Sequence, residues 1–164
     1  MAHTPRDISI RVKWDRLGTI FSQQRLLQKN AYGYDPSEME GEQRIQFIKD
    51  MNLALQDELH EFLQEVGWKP WATSRHVNED AAKGELVDAL HFFVNLCMVV
   101  NMDAQELFDR YMEKRKRNEQ RQIEGYDGVA GKCGICKRAL DDEGVLCRED
   151  PLLAGHFICE MGAK

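Results

Sequence analysis

Apolar residues recur at helical spacing along most of the chain, and this pattern predicts four helices. Positions three, four and seven apart are apolar over residues 16–30, 38–66, 78–101 and 103–124. Turn-forming sequences separate these segments, with AYGYDPS at 31–37 and WKPW at 68–71. Up to residue 125, no run alternates apolar and polar residues as a half-buried strand does. We therefore expect an all-α bundle of four to five helices.

The third predicted helix is apolar around most of its circumference, so we expect it to be central and buried on several sides. The apolar positions are Leu86, Val87, Leu90, Phe93, Val94, Cys97 and Val100. Its apolar stretch at 89–100 contains His91 and Asn95 and is too short and polar to span a bilayer. Residues 1–9 lack the apolar region of a secretory signal. We expect a soluble, cytoplasmic protein that does not bind membranes.

The length of 164 residues allows one compact domain with a small appendage. Glycines at 125, 128 and 131 resemble a connector, so we expect a helical domain over 1–127 and a Cys/His-rich tail over 128–164. The 22 Lys and Arg against 28 Asp and Glu give a net charge of -6. This excess of negative charge argues against a long-range positive electrostatic field that would attract nucleic acid. A polyanionic ligand would need a bound cation or a local basic cluster.

Two pairs of acidic residues are the strongest chemical signal in the chain. Glu58 and Glu61 lie three apart on the second predicted helix, and Glu85 and Asp88 lie three apart on the third. Side chains at this spacing share a helix face, so antiparallel packing could gather all four carboxylates. Taken alone, E-x-x-E is typical of solvated acids on an amphipathic helix. A matching E-x-x-D on a buried partner favours a site for Mg²⁺ or Mn²⁺.

Two further groups of residues could contact a nucleotide-like ligand. Lys114, Asn118 and Arg121 follow i, i+4, i+7 spacing late in the fourth predicted helix and suit a polyphosphate. A basic, solvated helix end would give the same pattern. The indoles and rings that could sandwich a flat heterocycle are those of Trp68, Trp71, His91 and Phe92. Packing of aromatic residues in the core is the more common explanation for such side chains.

The tail carries four of the five cysteines and one histidine that could bind a metal. Cys133 and Cys136 form a C-x2-C pair, and His156 and Cys159 form an H-x2-C pair. We expect these four to bind a structural Zn²⁺, with Cys147 as the alternative ligand. So short a segment needs a metal or another cross-link to fold. The alternative is a disordered tail with free thiols.

The motifs together resemble a known enzyme family. LQDELHEFLQEVGWKPW at 55–71, GELVDALHFF at 84–93 and KRKRNEQRQIEGY at 114–126 resemble the dimeric, all-α dUTPases of the MazG-like superfamily of nucleoside triphosphate pyrophosphohydrolases. The resemblance covers roughly residues 17–127 and excludes the tail. E-x-x-E followed by E-x-x-D is the superfamily signature, and the W-K-x-W, V-D-x-x-H-F and N-x-x-R-Q-x-x-G-Y elements indicate the dUTPase-like branch.

The resemblance implies a role for each motif residue. The Mg²⁺ ligands would be Glu58, Glu61, Glu85 and Asp88, with Glu58 also orienting or deprotonating water. The nucleoside would be bordered by His91, Phe92, Trp68 and Trp71, and the pyrimidine edge by the segment from Gln24 to Gln28, where the family usually has Asn or Asp in place of Gln28. The phosphates would be held by Lys114, Asn118, Arg121 and Tyr126.

The reaction that these roles imply is water attack at the α-phosphorus of a deoxynucleoside triphosphate, with dUTP the leading substrate. The products would be the nucleoside monophosphate and pyrophosphate. Two alternatives stay open: hydrolysis of dCTP or another nucleotide, and a non-catalytic zinc-binding adaptor built on the same helices. The apolar surface of the third helix leads us to expect a homodimer, with a tetramer as the alternative.

Overall fold

The described part of the chain is mostly helical. The computed structural model describes residues 15–125, 131–140 and 145–160. Its helices are α1 (Arg16–Leu27), α2 (Gly41–Gln64), α3 (Glu79–Val99) and α4 (Ala104–Ile123), and its strands are β1 (Cys147–Glu149) and β2 (Phe157–Cys159). The predicted all-α class with a cysteine-rich appendage is confirmed.

The chain divides into two compact units, one ending at Tyr111 and the other beginning at Met112. The expected boundary between residues 127 and 128 falls outside the described residues and stays a prediction. No single helix of the described chain is long and apolar enough to cross a membrane, and α3 and α4 pass that test only as a bent pair.

The helix ends differ from the predicted ones where the backbone geometry changes. One π-helical turn, Gln28–Tyr32, extends α1 by five residues, and Gly33 at φ 78° ends it in the left-handed conformation. A 3-10 turn, Pro36–Glu38, and an extended Met39 precede α2, so that helix starts at Gly41 rather than at 38. The 3-10 turn forms where proline fixes φ at its first position.

The buried core of the first unit is built around the second half of α3. Val94, Cys97 and Met98 pack with Phe21 of α1, while Val99 packs with Phe47 of α2. Burying these side chains is the main source of stability for the helices, since short isolated helices are marginal in water.

The first half of α3 is much more exposed than its apolar sequence predicts. The exposed fractions are 49% for Leu86, 55% for Val87, 36% for Leu90 and 39% for Phe93. The prediction that α3 is buried on several sides therefore holds only for its C-terminal half. The cause is the small number of neighbouring elements, because among the described residues α3 packs mainly against α2.

Asp35 is a buried acid that ties the loop after α1 to the start of the 3-10 turn. Its carboxylate accepts hydrogen bonds from the Ser37 backbone N–H (3.0 Å) and hydroxyl (2.7 Å) and lies 3.0 Å from Lys29 Nζ. Burial raises the pKa of Asp35, but the Ser37 and Lys29 hydrogen bonds and the charge of Arg25 outweigh it and lower that pKa from 3.8 to about 2.

We predict that Asp35→Asn lowers the free energy of unfolding by about 1–2 kcal/mol at pH 7, because the neutral amide loses the ion pair. A lowered native pKa stabilises the fold above the unfolded pKa. The advantage of the wild type should therefore shrink as the pH falls from about 4 towards 2. Urea unfolding, followed by circular dichroism at several pH values, measures the difference in the free energy of unfolding between the two proteins.

Asp50→Asn, at an exposed acid of α2, serves as the control and should cost little at any pH. Equal stability of Asp35→Asn and wild type at pH 7 would contradict the stabilising role of the ionised Asp35 carboxylate. A difference in stability that stays constant into the acid range would contradict it as well.

Candidate active site

The antiparallel packing of α2 against α3 determines which side chains meet. Near the start of α2, Arg44 Nε donates to the carbonyl oxygen of Val99 at the end of α3 (3.0 Å). At the other end of α2, Asn78, the N-cap of α3, donates to the Glu65 carboxylate (2.8 Å). The two helices therefore run in opposite directions, and residues near 58 on α2 face residues near 85 on α3.

Three carboxylates meet at this crossing. Oxygens of Glu58, Glu61 and Glu85 all lie within 4.8 Å of one another. Glu58 and Glu85 are half-buried and Glu61 is exposed. Asp88, one turn further along α3, is exposed but close enough for its charge to act on both Glu58 and Glu85. The structure thus brings together the four acids that the sequence singled out.

The crowding of these acids raises the pKa values of two of them. Burial raises the pKa of Glu58, and the charges of Glu61, Asp88 and Glu85 raise it further. Burial and the charges of Glu61, Asp88 and Glu65 raise the pKa of Glu85, and a hydrogen bond with Glu58 offsets part of that rise. The acids resist ionising together unless a cation offsets their charge. An all-oxygen donor set on two packed helices is what Mg²⁺ or Mn²⁺ requires, so these residues fit such an ion.

A polar network joins α1 to α3 beside the acids. Gln24 is buried and its Nε2 donates to Asn95 Oδ1 (2.9 Å), while its Oε1 lies 2.5 Å from His91 Nδ1. Since an amide oxygen only accepts, His91 Nδ1 is the donor in this hydrogen bond. His91 follows Asp88 by three residues and so shares its helix face. Phe92 is half-buried.

Asn95 was missed as a site residue by the sequence reasoning. It is 2% exposed and lies in the otherwise apolar run FFVNLCMVV. A lone amide in such a run is a usable signal, because buried polar groups need partners. Its hydrogen bond fixes the amide of Gln24 and thereby the ring of His91.

Gln28 follows Gln24 by one turn and is 5% exposed. Among the described residues, its buried Oε1 has no hydrogen-bond partner. Gln28 is also the first residue of the π-helical turn, a distortion that often accompanies functional sites. An unpaired buried acceptor is costly, so this amide is suited to a ligand donor.

A groove of about 500 Å³ lies between α1 and α3. Its lining includes Gln24 and His91 on the polar side and Ile20, Leu27, Val87 and Leu90 on the apolar side.

The loop between α2 and α3 carries the two tryptophans. Arg75 donates to the carbonyl oxygens of Gly67 (3.1 Å), Lys69 (2.5 Å) and Pro70 (2.9 Å) and so fixes the loop backbone. The indoles of Trp68 and Trp71 are 50% and 74% exposed, with ring centroids 6.2 Å apart. The loop presents aromatic surface outwards, which a core-packing role would not do.

Two residues that build this loop carried no clear sequence signal. A Cβ on Gly67 would come within 2.9 Å of both the His76 nitrogen and the Ser74 oxygen, so glycine is needed where the two loop arms meet. In the sequence, nothing distinguishes Arg75 from an ordinary surface cation. Its three backbone carbonyl acceptors become adjacent only in the folded loop.

The basic residues predicted to bind phosphate lie on α4, in the second unit. Lys114 and Asn118 are exposed and Arg121 is half-buried, and the unbroken helix keeps the three on one face. Tyr126 lies outside the described residues. The phosphate-binding role of all four stays a prediction.

In the cysteine-rich segment, the sulfurs of Cys133, Cys136, Cys147 and Cys159 all lie within 4.8 Å of one another. His156 is exposed and is not in this group. The geometry therefore favours Cys147, the alternative in the sequence analysis, over His156 as the fourth member. The physical reason is strand register, because Cys147 on β1 lies directly opposite Cys159 on β2.

The four thiols influence one another. Burial raises the pKa of Cys133, but backbone hydrogen bonds from Cys136 and Ile135 and those from neighbouring thiols lower it to about 7. Burial and hydrogen bonds to Cys159, Cys136 and Cys133 raise the pKa of Cys147 to about 12. In the absence of a cation, the cluster therefore does not ionise as a whole.

Comparison with known proteins identifies relatives of the helical part. A family model described as dUTPase matches residues 16–105. The dCTP pyrophosphatase of Enterobacteria phage T4 is 29% identical over 131 residues, which cover 65% of this chain and 77% of that protein. No solved structure matches significantly.

Two further relatives match over shorter stretches. The dCTP pyrophosphatase of Enterobacteria phage LZ5 is 37% identical over 71 residues, covering 36% of this chain and 41% of that protein. A DNA replication protein of phage T4 is 27% identical over 121 residues, covering 58% of this chain and 31% of that protein. Because the family match spans more than half of the sequence and contains the four crowded acids, the chain belongs to the dUTPase family of nucleoside triphosphate pyrophosphohydrolases.

Proposed function

We propose that this protein hydrolyses a pyrimidine deoxynucleoside triphosphate, with dUTP as the leading substrate, to the monophosphate and pyrophosphate. The observation that carries the proposal is the group of Glu58, Glu61 and Glu85, with oxygens within 4.8 Å and Asp88 one turn away. This group lies inside the segment that matches the dUTPase family. Such a concentration of negative charge serves little structural purpose and suits a cation-assisted reaction.

Glu58, Glu61, Glu85 and Asp88 would hold Mg²⁺ or Mn²⁺. When bound, the ion supplies positive charge that offsets the triphosphate and its transition state and makes water more acidic. Glu58 is half-buried within the group, and it would orient the attacking water and accept its proton. The water oxygen bonds to the α-phosphorus while the bond to the bridging oxygen of pyrophosphate breaks.

The nucleoside would lie beside the network of Gln24, His91 and Asn95. Both ends of the Gln24 amide already have partners, so Gln24 positions His91 rather than reading the base. Gln28 offers a buried acceptor without a partner among the described residues, and it would receive a base N–H. Phe92 would border the sugar, and the exposed indoles of Trp68 and Trp71 would cover the base.

Hydrolysis of dCTP is the second candidate, and one observation favours it. Two relatives carry the name dCTP pyrophosphatase. The unpaired acceptor of Gln28 matches the exocyclic amine of cytosine, although it also matches the N3–H of uracil. A comparison of initial rates across the bases separates the two candidates.

The phosphates would be held by the basic face of α4. Lys114 and Arg121 would supply the charge and Asn118 an amide donor, and the resemblance of the sequence at 114–126 to the family motif extends this proposed role to Tyr126.

We predict that the purified protein with Mg²⁺ releases pyrophosphate from dUTP or dCTP faster than from dATP, dGTP or the ribonucleotides. Glu58→Gln and Asp88→Asn should each lower kcat at least about 100-fold, because each removes a ligand charge while preserving shape. The matched control is Asp57→Asn, which changes the neighbouring exposed acid outside the group. Pyrophosphate release measures the rate, and circular dichroism verifies the fold.

If no nucleotide yields pyrophosphate, the proposed enzymatic activity is wrong, and the non-catalytic zinc-binding adaptor is favoured instead. Near wild-type rates in Glu58→Gln or Asp88→Asn would show that the acids do not serve the reaction.

We also propose that the protein is a homodimer whose interface covers the apolar side of the groove between α1 and α3. Ile20, Leu27, Val87 and Leu90 line this groove and are each between 36% and 55% exposed. Apolar surface of this kind is unusual on a monomer and typical of an interface. A second copy of the same chain would bury it by two-fold symmetry.

Light scattering coupled to gel filtration should therefore give twice the chain mass for wild type. Val87→Glu should shift the population towards monomer, because it puts a charge into the covered groove. Leu53→Glu, at a 65% exposed position of α2 outside the groove, is the control and should stay dimeric. A wild-type monomer at micromolar concentration would refute the dimer.

A further inference from the structure

The four clustered cysteines come from three separate parts of the second unit. Cys133 and Cys136 lie on one tight turn, Cys147 on β1 and Cys159 on β2. The Cys136 and Cys147 sulfurs are 3.6 Å apart, and those of Cys147 and Cys159 are 3.4 Å apart. All four are free thiols. The fold has therefore brought together sulfurs that are up to 26 residues apart in sequence without a covalent cross-link.

The turn at Cys133 is shaped so that both of its sulfurs face one point. Lys137 N–H donates to the Cys133 carbonyl (3.0 Å), and Ile135 N–H donates to Cys133 Sγ (3.4 Å). Lys137 has φ of 61°, a left-handed conformation that is uncommon for a residue with a side chain. An N–H directed at sulfur stabilises the thiolate rather than the thiol. The thiolate is the form of cysteine that binds metals.

The strand pair supplies the other two sulfurs. Cys147 and Cys159 are directly opposite each other in the antiparallel register, so their side chains leave the same face of the ribbon. His156 lies one residue before β2. Its backbone joins the turn between the strands, with the N–H donating to Leu153 O (3.0 Å) and the carbonyl accepting from Asp150 N–H (2.9 Å), while its side chain is exposed.

We propose that Cys133, Cys136, Cys147 and Cys159 bind one Zn²⁺ as a tetrahedral four-thiolate site. A Zn–S distance of about 2.3 Å places tetrahedral sulfurs about 3.8 Å apart, close to the separations in this cluster. Four protein ligands complete the coordination and leave no position for water. The site is therefore structural and separate from the carboxylates of the proposed reaction.

The rest of this segment has too little core to fold alone. Of its described residues, only Cys133, Ala139 and Cys147 are buried apolar side chains, and two of these are ligands. Leu152 is 90% exposed, and each strand is three residues long. Segments of this size generally need a metal or disulfides, so zinc binding supplies most of the stability here.

One packing contact supports the same geometry. The ring of Phe157 on β2 lies against the turn at Gly134, where a Cβ would come within 2.6 Å of the ring. Glycine between the first two ligands thus lets β2 approach the turn closely enough for Cys159 to reach the cluster.

The test compares the fourth-ligand candidates directly. Protein expressed with zinc and purified under reducing conditions should contain about one Zn per chain by elemental analysis. His156→Ala should keep that zinc, whereas Cys147→Ser should lose it or bind it at least about 100-fold more weakly in a chelator competition. Replacement with Co²⁺ should give intense thiolate-to-cobalt charge-transfer absorption that His156→Ala leaves unchanged.

A second measurement covers the case in which Cys147→Ser fails to fold. In the wild type, zinc should protect four thiols from a thiol reagent, and a chelator should release all four together. Loss of zinc in His156→Ala with retention in Cys147→Ser would overturn the ligand set. Iron in place of zinc, or no metal, would overturn the site. The carboxylate variant Glu58→Gln should keep its zinc, so the outcome is independent of pyrophosphohydrolase activity.

Discussion

The repulsion among carboxylates at the crossing of α2 and α3 is the constraint on which the rest of the first unit depends. Oxygens of three acids lie within 4.8 Å of one another, and the mutual repulsion of these acids raises the pKa values of Glu58 and Glu85. The helices hold them there through contacts at both ends, Arg44 with Val99 and Asn78 with Glu65. The arrangement is favourable only with protons or a cation present.

The same constraint explains how an acidic protein can bind a polyanion. A chain of net charge -6 repels a triphosphate at long range. The acids would offset this repulsion by holding a divalent cation that the triphosphate can contact. The buried amides are neutral and differ in their partners: Gln24 and Asn95 hydrogen-bond to each other, whereas Gln28 Oε1 has no partner among the described residues and would be the amide that contacts the base.

Features with a strong local signal could be predicted from the sequence. The four helices follow from apolar periodicity, and the meeting of Glu58 and Glu85 follows from two matching i, i+3 pairs on neighbouring helices. The π-helical turn at Gln28 and the role of Asn95 could not be predicted, because both depend on contacts between distant helices. The same holds for Cys147, since spacing alone favoured His156 and only the strand register places Cys147 opposite Cys159.

The central claim is that the acids of α2 and α3 bind a divalent cation, and direct measurement of Mn²⁺ binding tests it most closely. Electron paramagnetic resonance of the zinc-loaded protein titrated with Mn²⁺ counts bound ions without any substrate. We expect at least one bound Mn²⁺ per chain, with affinity at least about tenfold lower in Glu85→Gln and unchanged in Asp57→Asn. A wild-type protein that binds no Mn²⁺, or equal affinity in all three proteins, would contradict it.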